Sequence, residues 1–165
     1  MHPFQKDNDH PELKIDIYNW GVKFIQPVVE DGLVRMASLA DIAAFKLEAI
    51  CSRKEKKDYV DIAQLLKGFS FEKMLSFYRE KFPYANPRVV LSEIANTEDI
   101  QKSVNPFMLN DLSPAEAVLT VNTKVKEYAE ELVKRKLESE KERISNIKKL
   151  MEKKSQGQKP RGHSL

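Results

Sequence analysis

Apolar and polar positions change their period as this chain proceeds. Leu13-Lys14-Ile15-Asp16-Ile17-Tyr18 alternates apolar and polar side chains, the period of a half-buried strand. Lys14, Asp16 and Tyr18 then share one face, and Leu13, Ile15 and Ile17 the other. Trp20-Gly21 closes this strand. Phe24-Ile25 and Val28-Val29 flank Pro27 as a loop or short strand, Asp31-Gly32 signals a turn, and Leu33-Val34-Arg35-Met36 is a second short strand.

From Ser38 the spacing becomes helical. Ser38 with Asp41 three residues on resembles a capping box, with Asp in place of Glu. Ile42, Lys46, Ala49, Ile50 and Arg53 fall on neighbouring turns of one face. Asp58 to Lys67 predicts a second helix, packed through Ile62, Leu65 and Leu66 and stopped by Gly68. Ser70 opens a third helix running to about Lys81. Asn86-Pro87, an N-cap followed by proline at the first helical position, opens a fourth through Val90, Leu91 and Ile94. Asn105-Pro106 breaks the chain, and Ser113-Pro114 restarts helix. Residues 122–154 are dominated by Lys, Arg and Glu, with a thin apolar stripe at Val125, Leu132, Val133, Leu137, Ile144, Ile147, Leu150 and Met151. They predict a long, mostly solvated helix rather than a heptad coiled coil.

These elements predict an α+β chain that is predominantly α-helical. Its parts are a strand-bearing segment at 1–36, a helical domain at 37–112, a charged helical extension at 113–154 and a disordered tail at 155–165. An apolar fraction of 41% suffices for a core, while a net charge of +3 does not by itself announce nucleic-acid binding. One cysteine, Cys51, allows no internal disulfide, and no apolar run approaches the length of a membrane span. The expectation is a soluble cytoplasmic protein with no membrane partner.

Three places offer chemistry. Lys46 reads plainly as an amphipathic-edge lysine with its stem on apolar neighbours; its functional reading is a compact cation aimed at a phosphate. Asp58 and Asp61, three apart, read plainly as a cap and a dipole-favoured acid at a helix start. Functionally, one of them holds a divalent ion, orients Arg53 or Lys57, or acts as a base. Asp16 is a strand carboxylate of the kind that converges on metal ions in phosphoryl transfer, or simply an exposed-face residue. His2, His10 and His163 have no zinc-type spacing, and no glycine-rich phosphate loop is present.

Taken together, Lys14 to Ile17, Asp31 to Leu47, Arg53, and Lys57-Asp58-Tyr59-Val60-Asp61-Ile62 resemble the AbiEii/AbiGii nucleotidyltransferase toxin family. The similarity continues through Met74 to Phe82 and ends at Asn105-Pro106-Phe107-Met108-Leu109, covering about residues 13–112. It implies a DNA-polymerase-β-like nucleotidyltransferase fold, Mg²⁺ and a nucleoside triphosphate as cofactors, a cognate antitoxin as partner and, in some members, tRNA as acceptor. On this resemblance Asp16, Lys46, Asp58 and Asp61 match catalytic positions. Lys46, Arg53 and Lys57 are the triphosphate contacts, and Asp16 is the metal ligand. The family's upstream glycine-rich turn and Asp-x-Asp strand have no counterpart, since Asp7-Asn8-Asp9 lies in a polar, proline-flanked segment too close to Asp16. The chain therefore reads as the C-terminal part of such an enzyme, inactive alone. The alternative is a non-catalytic helical module that binds a protein partner or RNA.

Overall fold

The computed structural model describes residues 21–97, 100–108 and 111–157. The expected strand at Leu13–Tyr18 with Asp16, the Asp7-Asn8-Asp9 segment, the three histidines and the chain beyond Gly157 lie outside them. Among the described residues, one small antiparallel hairpin is followed by five α-helices, with a 3-10 turn at Ile100–Lys102 before the last of them.

The hairpin pairs β1 (Val29–Asp31) with β2 (Val34–Met36), Val29 opposite Met36 and Asp31 opposite Val34. Gly32 starts its two-residue loop at φ +58°, a left-handed conformation that glycine adopts without Cβ strain and that the tight hairpin requires. Phe24-Ile25 are not strand. Every strand residue is exposed, so the hairpin adds no core, and two strands alone are marginally stable.

Helix α1 (Leu39–Ser52) begins where Ser38 Oγ accepts the Asp41 N–H at 3.1 Å. Its buried face is Ala40, Ala43, Ala44, Leu47 and Ile50. The face expected from sequence is therefore divided: Ile50 enters the core, while Ile42, Lys46 and Ala49 form a half-buried flank and Arg53 is exposed. Helix α2 (Lys56–Leu65) starts two residues before the predicted Asp58. Glu55 is its N-cap and makes no side-chain capping bond, which makes Asp58 the third helical residue rather than a cap. Helix α3 (Phe71–Lys81) is capped by Ser70 and α4 (Pro87–Ala95) by Asn86 with Pro87 behind it, as the sequence predicts.

Helix α5 (Pro114–Gly157) is continuous. Ser113 Oγ accepts the Glu116 N–H at 3.2 Å and Glu116 accepts the Ser113 N–H at 2.9 Å, a complete capping box. Its first turns bury Ala117, Val121, Val125 and Tyr128 against the other helices. From Glu130 to Lys154 every side chain is exposed. Arg135, bonded to Glu72 of α3 at 2.8 Å, ties the emerging helix to the body. The helix runs through Gly157, past the predicted tail boundary at 155.

In the core, α1 lies against α3, α2 and α4, and α2 lies along the first part of α5. The alanines of α1 permit that close packing, while Tyr59, Ile62, Met74, Leu75, Val90 and Ile94 fill the space between helices.

Candidate functional site

The turn between α1 and α2 is short because Lys54 takes a left-handed conformation, φ +48°, just past the end of α1. A non-glycine residue there is uncommon. Its ammonium is ion-paired to Glu93 of α4 at 2.5 Å, which fixes the turn against the neighbouring helix. Reversal at this point lays the start of α2 beside the last turns of α1.

That reversal brings four of the six predicted residues together. Asp58, fully buried, receives Arg53 in a fork: Nε to Oδ2 at 3.1 Å and Nη2 to Oδ1 at 3.0 Å. Lys46 Nζ reaches Asp58 Oδ1 at 3.3 Å and Asp61 Oδ2 at 2.5 Å. Lys46 is 24% exposed and Asp61 45%, so the cluster runs from a dry carboxylate to a wet one. Lys57 touches neither aspartate; its ammonium pairs with Glu55 at 2.5 Å, and Glu55 reaches Arg53 Nε at 3.9 Å, so Lys57 joins the cluster only through Glu55. Asp16 lies outside the described residues.

Lys46 and Arg53 face Asp58 and Asp61, and Glu55 is matched by Lys57, so the cluster is balanced in charge. The forked bond holds Arg53 on Asp58, a geometry that the planar guanidinium suits. The arrangement does not fit a magnesium ion. Asp58 and Asp61 are already engaged by ammonium and guanidinium donors, and no group of three His, Cys, Asp or Glu among the described residues could hold a metal.

A second buried carboxylate was explained locally by the sequence and is in fact long-range. Asp41 accepts Ser38 Oγ–H at 2.6 Å, the Ile25 N–H at 2.9 Å, the Gln26 N–H at 3.3 Å and Lys81 Nζ at 2.6 Å. Lys81, fully buried, also donates to the Lys23 carbonyl at 3.0 Å and lies over the Phe45 ring. Burial pushes the Asp41 carboxyl upward, but the bonds from Lys81, Ser38, Ile25 and Gln26 outweigh it and hold it below the ordinary carboxylate range. A lysine at the end of α3 whose neighbours Phe77, Tyr78 and Phe82 are apolar was the available signal.

Cys51 and Tyr78 are shifted the other way. Burial, helped by Glu48, pushes the Cys51 thiol up to about 11, so it is a poor nucleophile at neutral pH. Burial also raises Tyr78, whose hydroxyl donates to Glu48 at 2.8 Å. A cavity of about 590 Å³ lies away from the Lys46 cluster, between residues 21–25 and the turn at 80–85. The cluster opens to solvent on the side of Lys46 and Asp61.

The sequence matches the profile described as nucleotidyl transferase AbiEii toxin, type IV toxin–antitoxin system, over residues 2–152. The chain belongs to this family of nucleotidyltransferase toxins. Membership implies a nucleoside triphosphate substrate and an antitoxin partner. The match is wider than the 13–112 span of the resemblance and takes in most of α5, so the long helix lies within the family region instead of outside it. No curated protein and no solved structure gives a match. No helix among the described residues is long and apolar enough to cross a membrane.

Proposed function

We propose that this chain works on the triphosphate side of nucleotidyl transfer, with Lys46 as the phosphate contact and Arg53, held on Asp58, beside it. The observation that carries this reading is the graded pairing of Lys46. Its bond to buried Asp58 fixes the ammonium in place, while its bond to half-exposed Asp61 is one that an incoming phosphate oxygen can replace. Asp61 on this reading is a gate that keeps the empty site neutral. Lys57 adds positive potential near the approach rather than a contact.

A triphosphate site normally has walls on more than one side, and among the described residues α1 and α2 supply the one that carries Lys46. The polymerase-β-like core, with its glycine-rich turn and Asp-x-Asp strand, is the expected second wall, and Asp16 is the carboxylate that would belong to it. With the α1–α2 side alone, nucleotide is expected to bind weakly and not to be transferred to tRNA or another acceptor.

The test has two arms. Equilibrium binding of a labelled nucleoside triphosphate should be lost in Lys46→Ala and strengthened in Asp61→Asn, by roughly tenfold, equivalent to ~1.4 kcal/mol. Equal binding by the wild type and both variants would sink the assignment of Lys46. Incubation with Mg²⁺, labelled triphosphates and total tRNA should leave the RNA unlabelled; labelling that Lys46→Ala abolishes would overturn the statement that the chain is inactive alone.

A further inference from the structure

The exposed part of α5 carries an apolar seam that its buried part conceals when the whole helix is read as one stripe. Val125 packs into the body and Leu132 turns off the line. What remains is Val133, Leu137, Glu140, Ile144, Ile147 and Met151, a 4-3-4-3-4 spacing. At about 100° per residue these positions stay within roughly 40° of one line, the geometry of a coiled-coil seam. All five apolar members are exposed. Glu140, the polar member, is ion-paired to Arg143 on the next turn at 3.8 Å.

The flanks of the seam carry one sign. Lys134, Lys141 and Lys148 line one side, Lys136 and Arg143 the other, with Leu150 extending the apolar surface. The acids Glu131, Glu138 and Glu142 sit on the far face. Flanking charges choose the partner in helix pairing. Two copies of this helix would set Lys and Arg against Lys and Arg in either orientation, so the pattern opposes self-association. RNA would use the basic flanks but has nothing for five aligned apolar side chains.

We propose that residues 133–151 of α5 are a docking seam for an amphipathic helix of a different protein, apolar along its own seam and acidic on both flanks. The projecting helix, tethered to the body through Arg135 and Glu72, offers about 27 Å of seam between Val133 and Met151 at 1.5 Å per residue. Apolar contact would hold the pair together and the charge match would select it.

The probe is a synthetic 21-residue helix with Leu at a and d and Glu at e and g; its counterpart carries Lys at e and g. The full chain should sediment as a monomer, bind the Glu peptide and ignore the Lys peptide. Leu137→Gln with Ile144→Gln should weaken binding at least tenfold, with the thermal midpoint unchanged because these side chains are outside the core. Lys134→Glu, Lys141→Glu and Lys148→Glu together with Lys136→Glu and Arg143→Glu should reverse the choice of peptide. A chain that dimerises through 133–151, or fails to bind the Glu peptide, overturns the proposal. So does Glu-peptide binding that survives both glutamine substitutions, or that a single-stranded RNA displaces equally well in the wild type and the glutamine variant.

Discussion

Asp41 and Asp58 occupy the same position in different helices, the third residue of α1 and of α2, and both are fully buried against a lysine from another helix. Their surroundings separate them. The side chains that touch Asp41, Lys81 and Ser38, are buried with it, and two backbone N–H groups of the 25–26 segment complete its shell. Asp58 faces Lys46 and Arg53, whose charged ends still reach water, and the chain of charges continues outward to Asp61. A closed cluster holds segments together. A cluster that opens on one side keeps a cation where something from solution can meet it.

Removing a partner from the closed cluster should have the largest effect. Asp41→Ala strands the Lys81 ammonium without access to water and frees the segment at residues 23–26 from α1. Breaking a buried pair in this way costs about 3–5 kcal/mol. Urea denaturation measures the loss, and hydrogen exchange at Ile25 and Gln26 should speed up with it. A loss near 1 kcal/mol would mean that Lys81 finds another partner and that the two clusters are not different in kind.

Asp58→Asn should cost less, about 1–3 kcal/mol, because a neutral amide keeps part of the hydrogen bonding and because Lys46 and Arg53 can turn toward water or Asp61. Equal losses from Asp41→Ala and Asp58→Asn would erase the comparison. Acid sharpens it from another direction. The folded-state pKa of Asp41 is depressed, so its stabilising contribution is present above the unfolded value near 4 and is lost as pH falls through the folded value. The urea midpoints of wild type and Asp41→Asn should therefore differ widely at pH 7 and draw together as the pH is lowered below about 4. A gap that stays constant on acidification would remove the charged pair as its cause.

The two clusters were not equally visible in the sequence. Lys46, Arg53, Asp58 and Asp61 lie within one helical hairpin, so helical spacing and a turn were enough to place them near one another. Asp41 and Lys81 are separated by most of three helices; Asp41 had a satisfactory local explanation as a capping-box acid, and Lys81 marked only the approximate end of a helix. Local rules located the starts at Ser38, Ser70, Asn86 and Ser113 because a side chain makes the cap in each. They misplaced the start of α2, where Glu55 caps without a side-chain bond and Asp58, chemically a better cap, is busy with Arg53. Nor could they separate the buried and exposed parts of α5, since that division depends on where the helix leaves the body.

The smallest expected change tests whether the inner wall of the open cluster carries an avoidable cost. Tyr59 follows Asp58 and is completely buried. Its hydroxyl has no hydrogen-bond partner among the described residues, and burial, with Glu93 and Asp58 adding to it, pushes its pKa up to about 12. An unsatisfied buried hydroxyl costs about 1–3 kcal/mol in desolvation, part of which is offset by ring packing that phenylalanine retains. Tyr59→Phe should therefore leave stability unchanged or raise it by up to ~1 kcal/mol, read from the urea midpoint at constant m. If the substitution instead destabilises the protein by more than ~1 kcal/mol, the hydroxyl has a partner. The polar network around Asp58 would then reach inward as well as outward, and the contrast with Asp41 would rest on Lys46 and Asp61 alone.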